Sequence, residues 1–299
     1  QRPVDALRRV QLAPRQAVVD DQQQPGLEGL GEGARLGGVG EVGDVALEVG
    51  GGLAIGDDDD LAVAGLVAAE EVAAAIRAAG GEALAVAGDV TADGFPDRLV
   101  GAAVEAFGPA IDVLVNNAGY TWDAMAHKMT DAQWEAMWRV HCTAPFRLVR
   151  AAAPYLRDAG QRDLAAGRRV HRKIVNVSSV AGTDGNPGQL NYASAKAAVV
   201  GFTKTLAKEW GRFAVNVNAV AYGWIETRLT QPKGEDTVID TPEGAVAVGV
   251  PQQHLDAFRD RIPLGRPGTP EEAAGVLLFL ASPLSDYVSG QVLKVTGGA

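Results

Sequence analysis

Apolar and polar positions along this chain fall into short runs whose period switches between that of a buried strand and that of a helix. Lys173 to Val177 is β-branched and apolar, and Ile111 to Val115 is a continuous apolar run. Both read as strands of a parallel sheet covered on its two faces. Ala83–Ala87, Ala214–Val220 and Gln291–Val295 read as further strands. Helical patterns separate them: Val67–Ala79 stopped by Gly80-Gly81, Asp97–Phe107, Thr130 to about Arg157, Tyr192 to about Phe213, and Pro270–Ala281 with proline at its start. Thr130 is placed to cap its helix, and Pro145 and Pro154 predict kinks or a break in it. Asp158–Arg172 is a polar, Arg-rich connection that reads as a surface insertion, and Arg228–Ile262 is a long mixed stretch that reads as a mobile lid. Strands alternating with helices predict an α/β fold, a doubly wound, mostly parallel sheet in one domain. Residues 1–65 stand apart. They are rich in Gly, Gln and Asp, hold few aromatics and show no convincing strand.

The chemistry gathers after the Lys173–Val177 strand. Ser178 and Ser179 stand at its end, a Gly/Pro/Asn loop from Ala181 to Gly188 follows, and Tyr192 and Lys196 open the next helix. Residues four apart share a helix face, so the phenol and the ammonium can point at one spot. Ser179 lies thirteen residues before Tyr192, far enough for the loop to return its hydroxyl to that spot. A hydroxyl, a phenol and an amine at the carboxyl end of a strand point to proton transfer. The ammonium is expected to lower the phenol pKa from its reference of ~10.

Composition narrows the partners. The 299 residues suffice for one large α/β domain, and 47% are hydrophobic. A formal net charge of -10 argues against a nucleic-acid backbone as partner. Cys142 is the one cysteine, so no internal disulfide forms and a reducing cytoplasm is expected. No apolar run approaches the ~20 residues that span a bilayer. Gln1-Arg2-Pro3 lacks the order of a signal peptide and lacks a starting Met, as in a fragment. His127, His141, His171 and His254 are scattered, with no metal-like spacing.

Ser179 with Tyr192-Ala-Ser-Ala-Lys196, Asn116-Asn117-Ala118-Gly119 and the ending Val295-Thr296-Gly297-Gly298, in that set, resemble the signatures of the short-chain dehydrogenase/reductases. The resemblance runs from about Leu66 to Ala299 and looks closest to 3-oxoacyl-acyl-carrier-protein reductases and related ketoreductases. It implies a Rossmann-type fold and a hydride passing between NAD or NADP and a ketone/secondary alcohol pair. Ser179, Tyr192 and Lys196 would be catalytic, and Lys196 would also hold the nicotinamide ribose. The family usually has asparagine where His141 stands, bracing a water chain to the lysine; His141 either keeps that relay or is an ordinary helix residue. Cofactor contacts are implied for Asp89, Val90, Asn116, Ala118, Gly119, Tyr192, Lys196, Ile225 and Thr227. Asp89 and Thr227 could equally be helix caps, and one of the two asparagines could be a structural brace. Where the family usually has Pro-Gly, this chain has Tyr222-Gly223. The helix opened by Tyr192 implies a homo-oligomer, a dimer or tetramer.

The family's Thr-Gly-x-x-x-Gly-x-Gly loop has no match in residues 1–65. The one G-x-G-x-x-G there is Gly38, Gly40 and Gly43, a candidate phosphate loop with no clear strand before it. Leu53-Ala-Ile55 followed by Asp57–Asp60 reads as a solvated acidic turn, or as a strand whose Asp57 meets the adenosine ribose. Residues 66–299 then form the reductase-like domain with a substrate loop at about 228–262. The expected function is an NAD(P)-dependent oxidoreductase. Its alternatives are a catalytically idle cofactor-sensing or scaffold protein on the same fold, or an inactive product of an altered N-terminal reading frame.

Overall fold

The structure, a computed structural model, describes residues 17–18, 45–48, 59–227, 230, 232, 238–241, 244–247, 249–250 and 252–299. Nine strands are present among them: β1 (Ala17–Val18), β2 (Val45–Glu48), β3 (Ala83–Leu84), β4 (Val113–Asn116), β5 (Arg172–Ser179), β6 (Val215–Tyr222), β7 (Val238–Thr241), β8 (Gly244–Ala247) and β9 (Val292–Val295). The helices are α1 (Asp59–Ala78), α2 (Phe95–Phe107), α3 (Asp131–Trp138), α4 (Ala144–Ala165), α5 (Val180–Asp184), α6 (Leu190–Trp210), α7 (Gln252–Arg259) and α8 (Pro270–Ala281).

Seven strands make one parallel sheet in the order β3-β1-β2-β4-β5-β6-β9, and β7 and β8 form a separate antiparallel hairpin. The apolar runs of β4 and β5 are explained by burial on both faces. Leu114 and Ile174 enter one cluster with Leu148, Leu156 and Val217. Val113, Val115 and Val175 enter the other with Val220 and Leu280. Two asparagines tie the middle strands inside this apolar setting. Asn116 Nδ2 donates to Asn176 Oδ1 at 2.7 Å, and Asn176 Nδ2 donates to Thr203 Oγ1 of α6 at 2.9 Å.

Several expectations change. Residues 1–65 do carry strands: β2 takes the sheet position beside β4, and β1 lies between β2 and β3. Gly38, Gly40, Gly43, Leu53–Ile55 and Asp57 lie outside the described residues. The glycines fall between β1 and β2 in the chain. Helix α1 begins at Asp59, about two turns before Val67, so Asp59 and Asp60 belong to a helix and not to a turn. The Arg-rich connection is largely helical. Helix α4 continues to Ala165, and Arg172 turns back to Asp163 at 2.9 Å.

The long helix expected from Thr130 is broken, but not at a proline. Thr130 caps α3 with a full capping box, Gln133 reciprocating. One wider π-turn, Arg139–Thr143, then joins α3 to α4, with Ala144 N–H bonded to Arg139 O. Pro145 falls in the first turn of α4, where no donor is missed, and Pro154 is carried inside it. Helix α8 starts and ends where the pattern places it, capped by a Thr269–Glu272 box.

Candidate active site

Strand β5 and helix α6 present the chemistry, and their junction is fixed by local hydrogen bonds. Ser179 ends β5 in extended backbone, and its Oγ accepts the Ala181 N–H at 3.1 Å, capping the short α5. Asn191, fully buried, donates to the carbonyls of Trp122 and Gln133 and accepts the Tyr192 N–H at 2.8 Å. The start of α6 is thereby held to the loop after β4 and to α3. Ala124 N–H donates to Gly188 O and Gln189 Nε2 to Asp123 Oδ2, both at 2.9 Å, closing the same seam.

These constraints bring Ser179, Tyr192, Lys196 and His141 onto one cavity of about 530 Å³, with Asn117, Gly119, Ile225 and Thr227 on its wall. The expected convergence of hydroxyl, phenol and ammonium is present. Ser179 stands near enough to Tyr192 for its hydroxyl to favour the phenolate. Lys196 Nζ donates to Val177 O at 2.8 Å and lies 5.6 Å from the Tyr192 ring centre. Ser178, behind Ser179, donates to Lys196 O at 2.9 Å and so serves the scaffold.

The electrostatics differ from expectation. Burial pushes the Tyr192 phenol up to about 12, against the pull of the Ser179 hydroxyl. It draws the Lys196 ammonium down to about 8. Each group is driven towards its neutral form because the site offers little water to solvate charge. The neighbouring ammonium therefore does not lower the phenol in this site. Cys142 lies nearby with its thiol pushed up to about 11 by burial, so it is no thiolate nucleophile.

His141 sits in the π-turn, 2% exposed, with its ring edge-on to Tyr192 at 5.1 Å. Its Nε2 bonds to Tyr120 O at 2.8 Å. A carbonyl only accepts, so Nε2 carries the proton and Nδ1 keeps a lone pair. Burial holds the imidazole well below its usual pKa, and the Lys196 charge adds to this. Nδ1 has no protein partner, and neither does Asn116 Oδ1. Both residues line a second cavity of about 170 Å³ beneath Lys196, with Ala118 and Asn176. Gly119 is needed here: a Cβ on it would stand 2.3 Å from His141 Cε1.

Other expected residues lie elsewhere. Asp89 accepts from Thr91 N and Thr91 Oγ1 at 2.7 and 2.8 Å, and α2 is capped by Gly94 instead. Val90 is buried in the core. Asn116 is the brace of the asparagine pair, and Asn117 faces the main cavity. Thr227 N–H bonds to Thr230 Oγ1 at 2.9 Å within the loop. The pattern singled out neither Trp224 and Phe258, tilted at 6.5 Å, nor Leu255 and Ile262, which line the apolar part of the cavity. Their spacing carries no signal until the fold brings them to one cavity. Among the described residues no His, Cys, Asp and Glu cluster could hold a metal, and no helix is long and apolar enough to cross a membrane.

A family model described as enoyl-(acyl carrier protein) reductase matches residues 58–299. The chain is 43% identical over 201 residues to a 3-oxoacyl-[acyl-carrier-protein] reductase of Thermotoga maritima, covering 67% of this chain and 70% of that one. It is 37% identical over 232 residues to such a reductase from Synechocystis, covering 77% and 81%. A crystal structure of a Brucella melitensis 3-ketoacyl-(acyl-carrier-protein) reductase complexed with NADH superposes with a TM-score of 0.63 at 29% identity, covering 78% of this chain and 84% of that one. The chain belongs to the short-chain dehydrogenase/reductase family, NAD(P)-dependent oxidoreductases that pass a hydride between a nicotinamide and a ketone or secondary alcohol.

Proposed function

We propose that this chain reduces the keto group of a 3-oxoacyl thioester with NADH or NADPH, using Ser179, Tyr192 and Lys196. The observation that carries the reading is that all three line one cavity whose other side is apolar. Ser179 holds the substrate oxygen by hydrogen bond as negative charge grows there. Tyr192, neutral at physiological pH, is loaded with the proton that this oxygen needs. Lys196 spends one N–H on Val177 O, leaving donors for a ribose hydroxyl. Trp224, Leu255, Phe258 and Ile262 offer the acyl chain an apolar wall.

The residues present fit the nicotinamide half of the cofactor. Gly119 and Gly223 keep the floor low: a Cβ on Gly223 would come 3.2 Å from Thr296 Cα. When bound, NAD(P)H supplies the hydride. Asn117, Gly119, Ile225 and Thr227 are assigned to hold it, with Asp89, Val90 and Ala118 as outer positions and Asn116 as their brace. Gly38, Gly40, Gly43 and Asp57 stay assigned to the phosphates and adenosine ribose, and residues 1–65 to the cofactor half of the domain. His141 keeps the place of the family's asparagine, its Nδ1 lone pair accepting from a water that Lys196 also touches. A cytoplasmic homo-oligomer, a dimer or tetramer joined through α6, completes the reading.

The test is turnover of acetoacetyl-coenzyme A, followed as loss of NAD(P)H absorbance. Wild type is expected to be active and Tyr192→Phe inactive with cofactor binding retained. Retained turnover in Tyr192→Phe, or reduction of a 2-enoyl thioester in preference to the 3-oxo compound, overturns it.

A further inference from the structure

Tyr222 stands where the family usually has proline, and the reaction as derived gives it no task. It is the last residue of β6 and the register partner of Ser179 in β5. Its backbone therefore lies one strand spacing, ~4.8 Å, from the residue that holds the substrate oxygen. Tyr222 forms part of the wall of the cavity that Tyr192 and Lys196 also line.

The far end of the ring is fixed. Tyr222 Oη donates to Ala273 O at 2.8 Å, and the ring packs against the cluster of Val175, Val220 and Leu280. The carbonyl it grips belongs to α8, a firm anchor. Thr269 and Glu272 close a capping box there, and Glu272 takes both nitrogens of the Arg266 guanidinium at 2.7 and 2.8 Å. Burial raises the Tyr222 phenol, so it keeps its proton, and that proton is committed to Ala273. The Tyr222 phenol is thus no competing acid. What it presents is a flat aromatic surface at a set height beside Ser179.

We propose that Tyr222 positions the nicotinamide, its pinned ring being the shelf on which that planar group lies. This rests on the NAD(P)-dependent reading above. Offset contact between flat rings adds to affinity beyond plain burial, so the contribution belongs to the nicotinamide and not to the adenosine end.

The experiment compares NADH with ADP-ribose, which lacks nicotinamide, by calorimetric titration of the whole chain as wild type, Tyr222→Leu and Tyr222→Phe. Emission of bound NADH is recorded alongside. Tyr222→Leu is expected to weaken NADH about tenfold, to leave ADP-ribose within about twofold, and to relieve quenching of the bound nicotinamide. Tyr222→Phe keeps a shelf but frees it from Ala273, so it holds NADH within about threefold with altered emission. Equal loss of both ligands, or no loss of either, overturns the proposal. If Tyr222→Leu does not fold, unaltered emission in Tyr222→Phe overturns it. Wild type that binds NADH and reduces substrate while Tyr222→Leu behaves identically defeats this inference alone; wild type that binds neither ligand defeats the oxidoreductase reading with it.

Discussion

Lys196 carries its charge into a position only 4% exposed, where burial lowers its pKa from 10.5 to about 8. At ~1.36 kcal/mol per pH unit, that interval is roughly 3 kcal/mol of cost borne by the folded state at neutral pH. The sign follows from proton counts. Between about pH 8 and 10.5 the unfolded chain holds more of this proton than the folded one, so stability rises with pH in that window. Lys196→Met keeps the length of the side chain and removes the charge. It also strips Val177 O of its charged donor, a loss of about 1.5–3 kcal/mol, so the two proteins should differ little at about pH 7. The informative quantity is how the difference moves. Raising the pH to about 9.5 should stabilise wild type relative to Lys196→Met by about 2 kcal/mol. Urea unfolding of both proteins without cofactor, at the two pH values, measures it, and groups unaffected by the substitution cancel. A difference that stays flat, or that moves in favour of the variant as pH rises, refutes the argument that the site destabilises its own lysine. Such a cost is what a functional group imposes on a fold.

Three further substitutions probe the scaffold. Gly119→Ala would drive a methyl group to 2.3 Å from His141, and should cost about 1–3 kcal/mol with at least a tenfold loss of turnover. Gly101→Ala, on open space in α2, should be neutral or stabilising by a few tenths of a kcal/mol, and thermal melts of both variants measure the contrast. Asn176→Ala leaves Asn116 Nδ2 and Thr203 Oγ1 buried without partners and should cost about 2–4 kcal/mol in urea unfolding.

The middle of the sheet was readable because its physics is local. An apolar run such as Val113–Val115 needs two covered faces wherever it occurs, and four-residue spacing puts Tyr192 and Lys196 on one helix face in any fold. Thr269, Pro270 and Glu272 likewise announce the start of α8 through short-range hydrogen bonds. What escaped depends on depth or on distant partners. The Tyr192 phenol moves up because of how little water reaches it, which its neighbour in sequence does not encode. The charges of Arg162 and Asp163 suggested a loop, yet the helix exposes Arg162 and pairs Asp163 with Arg168 and Arg172, while Leu156, Ala159 and Gly160 stay buried. Asn116 and Asn117 are chemically identical; only the pleat turns one to its brace and the other to the cavity. Strand β2 is four residues in a glycine-rich stretch, and its pairing with β4 supplies what its own pattern lacks.

The π-turn at Arg139–Thr143 holds one residue more than an α-helix would use. The wider turn uses about five residues for the rotation that about four make in an α-helix, so α3 and α4 keep one phase around it, and Ala136 and Met137 enter the same core as Leu148, Ala152 and Leu156. Deleting one residue there would close the ladder as ordinary helix and leave both buried faces where they are. What it would remove is the bulge that carries His141 to the cavity. The surplus residue therefore serves the site and not the packing of the two helices.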